Sequence, residues 1–164
     1  MLIVFPLGLL ATSVGFDIAY LVTGDRYWAG IAYYLIGIGI ATGLIAAVFG
    51  LIDWLAIPSG TRAKRIGALH GIGNVVVVGL FLVSCLMRWS TVPDSPGMLA
   101  IVLSLLGVGL ALITGWLGGE LVDRLAVGVD DGAHLNSPSS LSGRPAHEDA
   151  LRPEVPPTET RRVA

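Results

Sequence analysis

Ionisable and amide side chains lie at the ends of otherwise apolar runs, and their types could do chemistry. Asp53 ends one such run, His70 and Asn74 lie in the next, and Glu120 ends a later one. Carboxylates, an imidazole and an amide can hold a small cation or move a proton. Such residues are costly in a membrane and are functional candidates by default.

The spacing of these residues predicts that they meet at one end of a helical hairpin. Asp53 lies eight residues before Thr61, near the middle of the intervening loop, and His70 lies nine residues after it. Asn74 is one helical turn beyond His70, on the same face. We therefore expect Asp53, His70, Asn74 and Glu120 to converge, and we call these four residues the side-A cluster.

Asp53 is expected to point into the bundle, because it continues a stripe of small residues that should face a neighbouring helix. A carboxylate at a helix C-terminus is disfavoured by the helix dipole, so Asp53 needs a cationic partner. Arg62 and Arg65 in the next loop are the candidates. The small residues of the stripe are Gly39, Gly43, Ala46 and Gly50.

Three roles for the side-A cluster stay open. It is a hydrogen-bonded clasp that fixes helix register, a site for a small ion or a metal, or a haem site. Haem held by two histidines needs a second membrane histidine, and His70 is the one histidine within an apolar run, since His134 and His147 follow the last run. The sequence itself requires no cofactor.

Asp17 is a second intramembrane charge, toward the opposite end of the first apolar run. We expect Arg26, Arg88 or a hydroxyl group to satisfy it. The alternative is a proton path through Asp17 and Asp53 in a small proton-coupled transporter. The sequence contains no nucleophile–base motif such as Gly-x-Ser-x-Gly, so an enzyme is not favoured.

The elements that position these residues are four apolar runs of about 20 residues or more, the length that spans a bilayer. Of the 164 residues, 54% are hydrophobic and 13% are charged, and the mean hydropathy is +0.77. This composition excludes an ordinary soluble enzyme, a nucleic-acid binder and a disordered regulator. Short loops between the runs predict an all-α, integral membrane four-helix bundle in up-down-up-down order. The runs cover residues 1–23, 27–52, 66–87 and 95–119.

Two segments differ in composition. Residues 1–129 form the predicted transmembrane domain, whose first run we expect to be retained rather than cleaved as a signal peptide. Residues 130–164 are rich in proline, serine and charge, and carry four arginines against six acidic residues. A segment of this kind cannot bury a core, so it is predicted to be a disordered acidic tail.

The positive charges near the spans predict the orientation. The end of the bundle that contains the loop between the second and third runs is called side A, and the opposite end side B. Four Lys/Arg residues lie on side A (Arg62, Lys64, Arg65, Arg124) and two on side B (Arg26, Arg88). The positive-inside rule then places side A and both termini in the cytoplasm.

Small residues recur at every fourth position within the runs, for example Ala11, Gly15 and Ala19 in the first. Such ladders let helix backbones approach closely in lipid. We expect them to pack within one chain, and a homodimer through these faces is the alternative. The other ladders are Gly39, Gly43 and Ala47; Gly67 and Gly71; and Gly107, Ala111, Gly115 and Gly119.

Four short motifs resemble a bacterial membrane family known as domain of unknown function 2231. They are LIVFPLG at residues 2–8, GLIDW at 50–54, LHGIGN at 69–74 and GWLGGELV at 115–122. The resemblance covers nearly all of residues 1–129 and implies a four-helix protein of the bacterial inner membrane, with no established activity. Some relatives are fused to Rieske iron–sulfur domains, which implies redox chemistry for those relatives.

Two departures from the family pattern weaken that redox implication. Relatives usually carry His-Pro pairs before the first span, and many carry a histidine where Leu125 stands here. The leading hypothesis is a non-enzymatic plasma-membrane module, whose partner is the lipid bilayer and whose side-A cluster is structural or binds a small ion. The alternative is a membrane subunit of an electron-transfer system, associated with haem or a Rieske protein, that meets a redox partner.

Overall fold

The computed structural model describes residues 2–89 and 95–148, and every long element in that part of the chain is a helix. Helix α1 is Val4–Thr23, α2 is Arg26–Ala56, α3 is Arg62–Trp89 and α4 is Met98–Gly119. A π-helical turn, Glu120–Arg124, continues α4. The four predicted spans are confirmed, and α2 and α3 extend beyond the predicted bounds. No strand occurs in the described residues.

Glycine and capping side chains in the short connections end one helix and start the next. Gly24 follows α1 in the left-handed region with φ of 70°, where glycine carries no steric cost. Asp25 caps α2 by accepting a 3.0 Å hydrogen bond from the backbone N–H two residues later. Thr61 caps α3 in the same way, accepting from the N–H three residues later at 3.1 Å. The predicted short loop between the third and fourth runs lies partly outside the described residues.

The helices pack most extensively as two antiparallel pairs, α1 with α2 and α3 with α4. Contacts between α2 and α3 and between α1 and α4 close the bundle. The centre of the bundle is apolar, with Phe81 fully buried among aliphatic side chains. This cluster consists of Leu10, Val14, Ile36, Ile40, Val77 and Phe81.

The outer surface of the bundle is apolar as well. Each of the four helices is long and hydrophobic enough to cross a membrane, and the apolar 18-residue stretch of each is at most 28% buried inside the chain. Exposed leucine, isoleucine and valine side chains therefore cover the outside of the helices. An apolar surface of this extent needs lipid around it, so the protein is a membrane protein.

Several glycines lie where two helices touch. A Cβ atom added at Gly107 would lie 2.7 Å from the Phe81 ring, and one at Gly39 would lie 2.7 Å from Leu10 Cδ2. A Cβ atom added at Gly67 would lie 2.9 Å from Trp54 Cδ1. These positions confirm that small residues allow close helix contact within the chain.

The glycine ladders do not stay on one face, which corrects part of the prediction. Each step of four residues advances about 40° beyond a full helical turn, so a ladder rotates away from its first contact. In α2, Gly39 is buried, Gly43 is half-buried and Ala47 is exposed. The outward-facing ladder members are Ala11, Gly15, Ala47, Gly71 and Gly115. A seam between two copies at these positions stays a prediction.

The chain divides into two units, Met1–Val127 and Gly128–Ala164. In the described part of the second unit, residues 128–148 form turns and one short 3-10 helix, Ser140–Ser142, and none of these residues is buried. The segment thus forms no packed core over its described length. The predicted disorder of residues 149–164 concerns positions outside the described residues.

Two glycines of α4 offer a matched test of this packing. Gly107→Ala drives a methyl group into the Phe81 ring, whereas Gly109 is exposed with nothing within 4 Å of an added Cβ. We expect Gly107→Ala to lower the free energy of unfolding in detergent by about 1–3 kcal/mol. Gly109→Ala should leave it unchanged or raise it slightly, because alanine favours a helix. Equal stability of the two variants would contradict this packing.

Candidate functional site

A fully buried ion pair joins α1 to α3 near side B. Arg88 donates from its two terminal nitrogens to the two carboxylate oxygens of Asp17, at 2.6 and 2.8 Å. The side chains of Arg88 and Asp17 are 1% and 0% exposed. The expectation that a basic residue or hydroxyl satisfies Asp17 is thus met by Arg88, in the planar two-bond geometry that arginine and a carboxylate favour.

Two serines bring α4 into the same cluster. Arg88 Nε donates to Ser84 Oγ at 3.2 Å, and a terminal nitrogen of Arg88 donates to Ser104 Oγ at 3.2 Å. Ser84 in turn donates to the backbone oxygen of Ala100 at 2.7 Å. Asp17, Ser84, Arg88 and Ser104, here called the ion-pair cluster, therefore connect three helices through buried polar contacts.

The sequence held signals for part of this cluster. Ser84 and Arg88 are four residues apart, a spacing that puts both side chains on one face of α3. Ser104 gave no such signal, because its proximity to Arg88 depends on how α4 is rotated against α3. Ser13, one turn before Asp17, uses its hydroxyl to donate to Leu10 O at 2.7 Å.

The ion-pair cluster does not present a free acid. Both Asp17 oxygens accept hydrogen bonds from Arg88, which also donates to the hydroxyl groups of Ser84 and Ser104. A charge pair buried in this way is costly to form and more costly to break, because removing one partner leaves the other uncompensated. The cluster is suited to holding helices in register, and we do not propose a proton path through Asp17.

At side A, His70 holds α3 to α4. Its Nδ1 lies 2.8 Å from the backbone oxygen of Thr114, and its Nε2 lies 3.0 Å from Asn74 Nδ2. A carbonyl oxygen accepts only, so Nδ1 carries the proton and Nε2 accepts from the Asn74 amide. The ring also lies against Gly118, where an added Cβ would be 3.1 Å from His70 Cε1.

Glu120 is joined to the start of α3. Arg62 donates to Glu120 Oε1 at 2.6 Å, and their side chains are 54% and 19% exposed. Arg62 was one of the two expected partners of Asp53. The structure instead pairs it with Glu120, so this contact ties α3 to the turn after α4 rather than to α2.

Asp53 is exposed, and the expectation that it points inward is wrong. The neighbouring Trp54 faces α3 instead: its Nε1 donates to Lys64 O at 3.0 Å, and Lys64 Nζ donates back to Trp54 O at 2.6 Å. Adjacent helical residues point about 100° apart, so a helix that turns Trp54 inward turns Asp53 away. The stripe prediction is wrong because α2 extends past the start of α1. Gly43 lies opposite Pro6 near the first residue of α1, so no residue of α1 lies opposite Asp53, ten residues further along α2.

The structure therefore brings together only part of the predicted side-A cluster. His70 and Asn74 touch each other, Glu120 is engaged separately by Arg62, and Asp53 lies outside the contact. Among residues 2–89 and 95–148, no three His, Cys, Asp or Glu side chains are grouped closely enough to hold a metal ion. In this geometry His70 joins α3 to α4, and Asn74 hydrogen-bonds to the ring of His70.

Comparison with known proteins identifies a family for this chain. The sequence model of a family described as predicted membrane protein (DUF2231) matches residues 1–131. The chain belongs to this family. No curated protein and no solved structure matches the chain. The family description agrees with the four spans and names no reaction.

We expect the ion pair of Asp17 with Arg88 to dominate the effect of polar substitutions on the free energy of unfolding. Asp17→Asn or Arg88→Met alone leaves one buried group without its partner, and we expect each to lower the free energy of unfolding in detergent by about 3–5 kcal/mol. The double variant Asp17→Asn with Arg88→Met removes both charges and should lose less than the sum of the two single variants. A double-mutant cycle by denaturant titration measures the difference.

The exposed ion pair at side A is the matched control. Glu120→Gln removes a charge from a pair that is partly solvated, and such pairs contribute about 0–1 kcal/mol. A loss of similar size from Asp17→Asn and Glu120→Gln would contradict the dominant role of the buried pair.

Proposed function

We propose that this member of the family is a non-enzymatic membrane module, in which intramembrane polar residues hold the four helices in a fixed arrangement. The observation that carries the proposal is that these residues contact one another across helices. Asp17 binds Arg88, and His70 binds both Asn74 and the α4 backbone. A site that acts on a substrate needs reactive groups facing an open cleft. These groups face neighbouring helices.

In this proposal His70 and Asn74, the two members of the side-A cluster that touch, form a clasp rather than an ion site. Both ring nitrogens of His70 already have partners, at 2.8 and 3.0 Å. Thr114 also lies against Gly73, where an added Cβ would overlap its methyl group, so α3 and α4 touch closely beside the histidine. An ion at His70 would have to displace Asn74 and would find no carboxylate bonded to the imidazole in the described contacts.

Thermal unfolding in detergent tests the clasp. We expect His70→Ala to lower the free energy of unfolding by about 1–3 kcal/mol, since it removes the hydrogen bonds of the imidazole to the Thr114 carbonyl and to the Asn74 amide. Ile72→Ala, on the exposed face of the same helix, is the control and should change stability less. Addition of Zn²⁺ or Mn²⁺ should not raise the melting temperature. Stabilisation by either ion that is lost in His70→Ala would overturn the clasp in favour of an ion site.

One observation favours a second candidate, the membrane subunit of an electron-transfer system. Histidines that bind a metal usually donate their other ring N–H to a carbonyl or carboxylate, and His70 Nδ1 does so to Thr114 O. Its Nε2 would become a ligand position if Asn74 rotated away. The reduced-minus-oxidised optical spectrum of the purified protein separates the two candidates: haem bands would favour electron transfer, and a spectrum without them the clasp.

We also propose that the protein lies in a bacterial plasma membrane with side A and both termini in the cytoplasm. The basis is the distribution of Lys and Arg near the spans, with four on side A and two on side B. Ser59 lies just before α3 on side A, and Ser95 lies just before α4 on side B. Both residues are exposed, so they offer a matched pair of labelling positions.

Cysteine labelling in whole cells tests this orientation. In a Cys85→Ala background, Ser95→Cys should react with a membrane-impermeant maleimide, whereas Ser59→Cys should react only after the cells are lysed. The opposite pattern would reverse the orientation.

A further inference from the structure

A groove runs along the outer face of the first turns of α2. Its volume is about 290 Å³, and it is lined by Arg26, Tyr27, Gly30, Ile31 and Tyr34. Tyr27 and Tyr34 are seven residues apart, which puts them on nearly the same face and about 10 Å apart along the helix axis. Gly30 and Ile31 form the floor between them. An added Cβ at Gly30 would meet nothing within 4 Å, so the notch is open.

The two tyrosines that wall this groove are held by neighbouring rings. Tyr27 packs edge-on against Trp28 with ring centres 5.3 Å apart, and Trp28 stacks on Phe16 of α1 at 5.6 Å. Tyr34 packs edge-on against Tyr33 at 5.4 Å. Aromatic contacts of this kind fix ring orientation, so the walls of the groove are in place without a ligand.

The surroundings of the groove indicate the chemistry of its occupant. The groove opens on the apolar outer surface of a span, and Arg26 is the first residue of that span, where the headgroup region of a bilayer begins. Arginine binds phosphate through paired N–H donors, and tyrosines prefer the interface between headgroups and acyl chains. The exposed lining of the groove is almost entirely apolar, and the residue that lines it at the start of the span, Arg26, carries a positive charge at headgroup depth. An apolar groove beside such a cation is complementary to one class of molecule.

We infer that this groove binds one phospholipid molecule. The phosphate lies at Arg26, and the first part of an acyl chain lies on Gly30 and Ile31 between the rings of Tyr27 and Tyr34. Arg26 already takes part in another interaction, and a guanidinium with five N–H donors can hold a second acceptor. Asp25 is occupied at the helix cap, where it accepts from Tyr27 N at 3.0 Å.

Native mass spectrometry of the full chain with phosphatidylglycerol tests this inference. Gly30→Leu fills the notch, and we expect it to weaken binding of the first lipid by about tenfold, the equivalent of about 1.4 kcal/mol. Gly37→Leu is the matched control on the same helix, because Gly37 is exposed with nothing within 4 Å of an added Cβ and does not line the groove. It should bind phosphatidylglycerol as the unchanged protein does.

The role of the phosphate has its own test. Arg26→Gln should weaken binding of phosphatidylglycerol, and diacylglycerol, which has the same chains without the phosphate, should bind the unchanged protein more weakly than phosphatidylglycerol. Equal lipid binding by Gly30→Leu and Gly37→Leu would overturn the site. So would equal binding of the two lipids, or a Gly30→Leu variant that loses a dimer rather than a lipid, since the groove would then be an interface between two copies.

Discussion

A buried charge in a bilayer must find its partner within the protein, and the contact between Asp17 and Arg88 meets that constraint here. Neither side chain is exposed beyond 1%, and Ser84 and Ser104 take up further donors of the guanidinium. An arrangement of the helices that separated these residues would leave charges in an apolar medium. The rotation of α1, α3 and α4 about their axes is therefore set by this cluster as much as by the fit of apolar side chains.

The contacts between helices become more exposed from the buried ion pair near side B toward the loop between α2 and α3 on side A. Apolar packing around Phe81 fills the middle, with Gly107 leaving room for its ring. At side A the contacts are less buried. His70 hydrogen-bonds to the Asn74 amide and to a backbone oxygen of α4, and the ion pair of Arg62 with Glu120 is partly solvated. Two kinds of polar contact thus hold α3 against α4. The ion-pair cluster does so near side B, and the hydrogen bond of His70 to the α4 backbone does so at side A.

The sequence predicted the helices well because an apolar run long enough to span a bilayer must satisfy its backbone hydrogen bonds internally, which a helix does. The short loops, with Gly24 and Asp25 among them, carried recognisable turn chemistry. The candidate site was harder to predict, because it depends on helix rotation. Asp53 was misplaced since α2 turns Trp54 toward α3, and Ser104 gave no sign of its role until α4 was docked beside Arg88.

We claim that Arg88 is held in a buried contact with Asp17, and nitrogen NMR of the arginine side chains in detergent micelles tests this directly. The Nε–H of Arg88 donates to Ser84 at 3.2 Å inside the bundle, so its proton should exchange with water far more slowly than that of Arg62, whose side chain is 54% exposed. Slow exchange at Arg88 that becomes fast in Asp17→Asn is the predicted result. Exchange at Arg88 as fast as at Arg62 in the unchanged protein would contradict the claim.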